Sequence, residues 1–92
     1  MSYRVQLAPK AAKYLRGLPK KIAGQIIAKL GSLAATPRPR GCEKIKEDKE
    51  RFRIHAGNYR IIYEVHDDVL LVLVIRIDHR QGVYKKHRRS IK

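Results

Sequence analysis

The chain has 92 residues, of which 22 are Lys or Arg and 8 are Asp or Glu, so its formal net charge is +14 at pH 7. We expect a single domain over residues 1–92, because a chain this short buries only about 60–65% of its unfolded surface and has no room for a second, cofactor-binding domain. Such a basic balance predicts a polyanion or an acidic protein as partner. The alternative is a basic surface that serves solubility.

Cysteine usage and hydropathy indicate the compartment. Cys42 is the single cysteine, which excludes an internal disulfide and a cysteine-based zinc site and fits a reducing cytosol. The first residues alternate polar and apolar types, unlike a secretory signal. The longest apolar run, residues 69–75, has seven residues, whereas about 20 are needed to span a bilayer. We therefore expect a soluble, cytoplasmic protein with no membrane partner.

The first third of the chain predicts one strand and two helices. Residues 2–7 alternate as a half-buried strand does. Pro9 opens a helix, because its missing N–H would be unpaired in the first turn anyway. Pro19 separates this helix from a second one, which runs from Lys20 and stops at Thr36. The apolar stripe of the second helix consists of Ile22, Ile26, Ile27, Leu30, Leu33 and Ala34.

The remainder of the chain favours strands. Residues 43–46 predict a short strand, and a polar turn follows them. Residues 51–56 and 59–66 alternate in character, and Gly57 and Asn58 between them form a two-residue loop typical of a tight hairpin.

Residues 69–77 are almost unbroken Val, Leu and Ile. This pattern predicts a strand covered on both faces, close to the centre of the sheet. The mostly basic residues after Gly82 favour a short helix or a loose tail. The expected fold class is α+β, with an N-terminal strand, a two-helix antiparallel pair, and an antiparallel sheet of about four strands whose one face the helices cover.

Three cationic side chains are predicted to meet on the other face of the sheet. With a two-residue hairpin loop, His55 lies opposite Arg60, and Arg53 shares their face because it is two residues from His55. A register slip of one residue would separate them. Neither Glu64 nor Asp78 is obviously placed to neutralise the cluster, so we expect an unneutralised site that a bound anion stabilises.

Such a cluster suits RNA cleavage without a metal. The ribose 2′-hydroxyl must lose a proton, the leaving 5′-oxygen must gain one, and the phosphorane charge must be stabilised. Arginine binds two phosphoryl oxygens at once, histidine exchanges protons near neutral pH, and Tyr84 offers a ring on which a base can stack. Alternatively, Arg53 and Arg60 are solvated residues of an outer sheet face and His55 is a bystander.

A metal site and a cofactor are not expected. His66, Asp67 and Asp68 resemble a group of metal ligands, but a turn that carries two aspartates explains them without a ligand. Tyr59 and Tyr63 lie on the opposite face to Arg60 and are predicted to belong to the core.

Two segments resemble a known family. Residues 52–63, FRIHAGNYRIIY, and residues 77–84, IDHRQGVY, are similar to the RelE/ParE toxin superfamily. The Leu18-Pro19 junction between the helices, the Thr36-Pro37 helix end and the Lys44-Ile45 position before the sheet match the family's layout in the same order, so the resemblance spans nearly the whole chain.

The resemblance implies a toxin that enters the ribosomal A site and cuts mRNA with the 2′-hydroxyl. The catalytic groups of the RelE branch fall on Arg53, His55, Arg60, Arg80 and Tyr84. The implied roles are phosphate stabilisation for Arg60 and Arg80, phosphate binding or support of the base for Arg53, proton transfer for His55, and stacking for Tyr84. The best-known RelE toxins carry lysines where this chain has Arg53 and His55.

The sequence therefore predicts a ribosome-dependent endoribonuclease whose partners are the ribosome, mRNA and a cognate antitoxin with an acidic, apolar-striped segment. One alternative is a ParE-like inhibitor of DNA gyrase without nuclease activity. Arg60, Arg80 and Tyr84 favour the nuclease, because a gyrase inhibitor does not need them. A non-catalytic RNA-binding module is the other alternative.

Overall fold

A computed structural model describes residues 2–45 and 50–79 of the chain. In these ranges the chain forms two α-helices and five strands, with one short 3-10 turn, Asp67–Val69, before the last strand. In chain order they are β1 (Arg4–Leu7), α1 (Pro9–Arg16), α2 (Lys20–Ala35), β2 (Glu43–Lys44), β3 (Arg51–Ala56), β4 (Tyr59–His66) and β5 (Leu71–His79).

The helices begin and end where the sequence predicts. Pro9 occupies the first helical position of α1, and Pro19 lies immediately before α2 with φ −56°. Helix α2 ends at Ala35, and Thr36 has left the helical region with ψ 80°, because a residue that precedes a proline is disfavoured in the helical conformation. The predicted boundaries of both helices are thus confirmed.

The sheet has the order β1-β5-β4-β3-β2. Strand β2 pairs antiparallel with β3, β3 with β4, and β4 with β5, as predicted. Strand β1 pairs with β5 in the parallel direction, from Arg4 opposite Leu71 to Leu7 opposite Val74. The fold is therefore α+β with a five-stranded mixed sheet, in which the N-terminal strand is the fifth member. Strand β2 covers only part of the predicted 43–46 strand, and residues 46–49 lie outside the described ranges.

Both helices pack on one face of the sheet and form a single core with it. The buried residues are Ala11, Ile26, Leu30, Leu33, Phe52, Ile54, Ala56, Ile61, Tyr63, Val65, Val72, Val74 and Ile77. Each fully buried aliphatic side chain contributes roughly 1.5–3 kcal/mol of transfer free energy. Tyr63 belongs to this core, as predicted, and its hydroxyl donates a hydrogen bond of 2.8 Å to the Pro37 carbonyl. We call the sheet face opposite the helices the outer face.

Strand β5 differs from its prediction. It lies between β1 and β4, so its interior position is confirmed. The expectation that both of its faces are covered is wrong, because Leu71, Leu73 and Ile75 are only half-buried while Val72 and Val74 are fully buried. The reason is that, within 2–45 and 50–79, the helices cover one face alone. Val69 precedes the strand and is exposed.

A β-bulge interrupts the pairing of β4 with β5. The register passes from Tyr63 opposite Val74 to Ile62 opposite Arg76, which leaves Ile75 without a partner on β4. A bulge of this kind reverses the side-chain alternation beyond it. The buried position after Val74 is consequently Ile77, and Arg76 and Asp78 lie on the outer face. No helix in the described part of the chain is long and apolar enough to cross a membrane.

Candidate functional site

The hairpin of β3 and β4 builds the centre of the candidate site. Gly57 and Asn58 form its two-residue loop, and Gly57 has a φ of 61°, which a residue without a Cβ adopts readily. The loop sets Ala56 opposite Tyr59 and His55 opposite Arg60. The predicted register is confirmed, and Arg53, His55 and Arg60 share the outer face.

Arg53 is paired with a carboxylate of its own chain. Its Nε donates a hydrogen bond of 3.0 Å to Oε1 of Glu43, and its Nη2 donates to the same oxygen. Glu43 lies directly opposite Arg53 in the ladder between β2 and β3. The hydrogen bonds from Arg53 hold the pKa of Glu43 below its ordinary value, and the charges of Arg53 and His55 act in the same direction. His55 itself is exposed.

Arg60 is paired as well, through a different geometry. Its Nε donates a hydrogen bond of 3.2 Å to Oδ1 of Asp78, which lies directly opposite in the ladder between β4 and β5. The other oxygen of this carboxylate, Oδ2, is 3.0 Å from Nε of Arg76. The terminal guanidinium nitrogens of Arg60 and Arg76 make no hydrogen bond with any residue of the described ranges.

These pairs overturn one sequence prediction. The cluster of Arg53, His55 and Arg60 was expected to be unneutralised, and that expectation is wrong, because Glu43 and Asp78 each lie directly across a ladder from an arginine. The predicted strands did not include these pairs, since Glu43 is on a two-residue strand and the bulge brings Asp78 to the outer face. With Arg76 included, three arginines face two carboxylates, so the cluster keeps an excess of one positive charge.

A second charged group lies further along the same face. Nη2 of Arg51 donates a hydrogen bond of 2.6 Å to Oε2 of Glu64, and Nε2 of His66 is 2.9 Å from Oε1 of that carboxylate. The hydrogen bond from Arg51, followed by that from His66, lowers the pKa of Glu64. His66 is therefore bound to a carboxylate two residues away, and Asp67 accepts hydrogen bonds from Tyr3 and Arg38.

Comparison with known proteins identifies the family. Residues 5–84 match the model of the ParE toxin of the type II toxin–antitoxin system parDE. The chain belongs to this family. It is 29% identical over 87 residues to the toxin RelG of Mycobacterium tuberculosis, an alignment that covers 94% of this chain and all of RelG.

Solved structures of related toxins share the fold. The isolated E. coli RelE toxin superposes with a TM-score of 0.76 at 25% identity, covering 99% of this chain and 100% of RelE. A chain of the RelBE2 toxin–antitoxin complex of M. tuberculosis gives the same TM-score at 27% identity, covering 87% and 93% of the two chains. The chain is thus a RelE/ParE-type toxin of a toxin–antitoxin system.

Two of the five predicted site residues of this toxin lie outside the described ranges. Arg80 and Tyr84 follow His79, the last described residue, and their roles remain those that the resemblance implies. Glu43, Arg76 and the pairing role of Asp78 were not among the predicted features of the site. One signal was available: strict alternation from Val72 and Val74 would bury Arg76, and a charged residue at a core position indicates a bulge.

The toxin carries further cations on its helices. These are Lys10, Lys13, Arg16, Lys20, Lys21 and Lys29, and none of them forms an ion pair with another described residue. The ion-paired carboxylates Glu43, Glu64, Asp67 and Asp78 lie instead on the sheet or in its β4–β5 turn. Positive charge without a partner is therefore concentrated on the helical side, while the outer face is largely neutralised.

Proposed function

We propose that the toxin is a ribosome-dependent endoribonuclease that cleaves mRNA in the A site. The observation that carries the proposal is the position of His55 directly across β3 and β4 from Arg60, where the terminal nitrogens of the guanidinium remain available for a ligand. A proton-exchanging ring and a phosphate-binding cation are adjacent there. The similarity to RelG and RelE adds support at the level of the family.

The reaction that this pair suits needs no additional reactant. The 2′-oxygen attacks the adjacent phosphorus and forms an O2′–P bond, the P–O5′ bond breaks, and a 2′,3′-cyclic phosphate and a 5′-hydroxyl result. The proton of the 2′-hydroxyl passes to a base, and the 5′-oxygen receives a proton. In the proposed mechanism His55 takes part in proton transfer and Arg60 stabilises the charge on the phosphorane.

The other site residues have supporting roles in the proposal. Arg80 joins Arg60 in stabilising the phosphate, and Tyr84 stacks on a base, as the resemblance implies. Because Glu43 occupies two donors of Arg53, Arg53 binds phosphate only by exchanging this carboxylate for it. We therefore assign Arg53 chiefly to support of His55, its neighbour on the same face.

A cleavage assay on programmed ribosomes tests the proposal. Purified toxin is added to ribosomes stalled on a defined message, and the 5′ ends of the fragments are mapped. We expect cuts in the A-site codon, and His55→Ala is expected to slow cleavage about 10²- to 10⁴-fold, the usual contribution of a positioned acid or base. His66→Ala is the matched control, since His66 lies on the outer face but contacts Glu64; its rate should match that of the wild type.

Inhibition of DNA gyrase is the second candidate function. It is favoured by the family model, which describes a ParE toxin, and by the carboxylates that already neutralise Arg53 and Arg60. A supercoiling assay is therefore run in parallel with the cleavage assay. If the message stays intact and gyrase is inhibited, the chain is a gyrase inhibitor and not a nuclease. If the chain binds RNA and shows neither activity, it is a non-catalytic RNA-binding module.

We further propose that a cognate antitoxin neutralises the toxin through its unpaired cations. The solved relative from M. tuberculosis is a toxin–antitoxin complex, and the helical side of this chain offers an excess of positive charge. An acidic, apolar-striped antitoxin segment is complementary to it. Binding of the co-encoded antitoxin should weaken with added salt, and replacing Lys10, Lys13 and Arg16 with Ala should weaken it further. Antitoxin binding that neither added salt nor the three substitutions weaken would contradict the proposal.

A further inference from the structure

Asp78 holds two arginines with a single carboxylate. Arg60 reaches Oδ1 from β4 and Arg76 reaches Oδ2 from β5, and both do so through Nε. The carboxylate is shielded, with 19% of the side chain exposed, whereas the side chain of Arg76 is 59% exposed. Because both contacts involve Nε, the two terminal nitrogens of each guanidinium make no hydrogen bond with a residue of the described ranges.

We infer that Arg76 binds the scissile phosphate together with Arg60, and that Asp78 is a positioning residue that orients both guanidiniums. The inference rests on the proposed nuclease function. Two guanidiniums joined by one carboxylate carry a net positive charge and present four terminal amino groups, which match the oxygens of a phosphodiester. Without the carboxylate the two cations would repel each other and sample other rotamers.

The bulge in β5 makes this arrangement possible. If the register of Tyr63 opposite Val74 continued without interruption, Arg60 would face Ile77 and Asp78 would face Tyr59 on the core side. The extra residue, Ile75, instead sets Asp78 opposite Arg60 and turns Arg76 to the outer face. Bulges are frequent beside active sites because they redirect side chains in this way.

Arg53 and Arg60 contact their carboxylates through different sets of nitrogens. Arg53 donates from both Nε and Nη2 to Glu43, so its pairing occupies the donors that a phosphate would use. Arg60 gives only Nε to Asp78. The two ion pairs therefore have different consequences: the first occupies Nε and a terminal nitrogen of its arginine, and the second holds an arginine that keeps its terminal donors.

Charge and orientation make opposite predictions for Asp78→Asn. If the carboxylate acts only through its charge, its removal strengthens RNA binding and leaves cleavage as fast or faster. If it positions Arg60 and Arg76, cleavage by the bound toxin slows even though binding does not weaken. Misplacement of about 1 Å costs about 10²-fold in rate, so we expect a loss of about 10- to 100-fold.

Single-turnover cleavage on programmed ribosomes separates these effects. The rate constant at saturating toxin and the half-saturating toxin concentration are measured for the wild type, Asp78→Asn, Arg76→Ala and Asp68→Asn. We expect Asp78→Asn to lower the rate constant without raising the half-saturating concentration, and Arg76→Ala to worsen both. Asp68→Asn is the matched control, since Asp68 forms no ion pair with another described residue, and it should behave as the wild type.

Further measurements guard against a trivial loss of structure. Thermal unfolding of each variant is followed by circular dichroism, and the double variant Asp78→Asn/Arg76→Ala completes a mutant cycle. If Asp78 acts through the arginines, the two losses are strongly non-additive, while independent structural damage gives additive losses and overturns the inference. If the wild type cuts the message and Asp78→Asn and Arg76→Ala cut it at the same rate, the inference is overturned and the proposed function stands. If the wild type does not cut the message, the proposed function is overturned together with the inference.

Discussion

Arg38 donates hydrogen bonds to both carboxylate oxygens of Asp67, from Nη1 at 3.2 Å to Oδ1 and from Nη2 at 2.8 Å to Oδ2. The hydroxyl of Tyr3 also donates to Oδ1, at 2.6 Å. Asp67 in the turn between β4 and β5 thus connects the loop after α2 with the entry to β1. Hydrogen bonds, first from Arg38 and then from Tyr3, hold the pKa of this carboxyl below its ordinary value.

Replacing Asp67 should loosen this three-way junction. We expect Asp67→Asn to lower the thermal unfolding midpoint by at most a few degrees, because all three partners are partly or fully exposed and such pairs are weak. The difference should shrink at high salt, which screens exposed pairs. A double-mutant cycle with Arg38→Ala should give a coupling above error. Asp68→Asn in the same turn is the control, and equal effects of both substitutions would contradict the prediction.

The ionised carboxylate of Glu64 should stabilise the protein at neutral pH and lose this effect in acid. The hydrogen bond from Arg51 lowers its pKa in the folded state, so the folded protein binds this proton less readily than the unfolded chain does. The stabilisation is fully present at a pH above the pKa of the carboxyl in the unfolded chain, about 4.3. It is lost as the pH falls through the lower pKa of the folded state. Glu64→Gln should therefore be less stable than the wild type at neutral pH, and the gap should close below about pH 4.

Urea unfolding at several pH values measures this gap. The midpoints of the wild type and of Glu64→Gln are compared from neutral pH downwards. A gap that stays constant in acid would mean that the substitution acts through packing and that the ionised carboxylate contributes nothing.

A side chain at the first position of the hairpin loop should destabilise the protein. Gly57 has a φ of 61°, and a Cβ there would cost about 1–2 kcal/mol in the left-handed region. The nearest atom to such a Cβ would be Oε1 of Gln25 at 3.6 Å, an ordinary contact, so the cost comes from the backbone. For a domain of this size we expect Gly57→Ala to lower the unfolding midpoint by about 4–8 °C per kcal/mol.

Asn58→Ala is the matched control for the loop, because Asn58 has a negative φ. Its midpoint should stay close to that of the wild type. Equal losses in the two variants would show that the loop is sensitive to any substitution and not to the positive φ of Gly57.

Leu70 is a site at which substitution should stabilise the protein. It is the one non-glycine residue of the described ranges with a positive φ, with φ 51° and ψ 54°. The left-handed conformation costs roughly 1–2 kcal/mol for a residue with a Cβ, and glycine loses about 0.5–1 kcal/mol in chain entropy. Leu70→Gly should therefore raise the free energy of unfolding by a few tenths to about 1 kcal/mol.

The neighbouring Val69→Gly is the control, since Val69 is exposed and has a negative φ. It should be neutral or destabilising in the same denaturant titration. A loss of stability in Leu70→Gly similar to that in Val69→Gly would mean that contacts of the leucine side chain outweigh its backbone strain.

Local patterns were sufficient for much of this fold. Pro9, Pro19 and Thr36-Pro37 set the helix boundaries through backbone sterics that depend on adjacent residues alone. The alternation on either side of Gly57 and Asn58 fixed the register of the hairpin, and with it the meeting of His55 and Arg60. These features are readable because the cause and the effect lie within a few residues of each other.

The partners of the charges could not be read in this way. Glu43 reaches Arg53 from a two-residue strand, and Asp78 reaches Arg60 only because Ile75 bulges out of the β4–β5 ladder. One residue more or less between Tyr63 and Asp78 would send the carboxylate to the core face. The sequence by itself thus determined the elements, the family and the face on which Arg53 and Arg60 lie. Only the tertiary structure decided which carboxylates oppose them, because pairing across strands depends on register summed over the whole sheet.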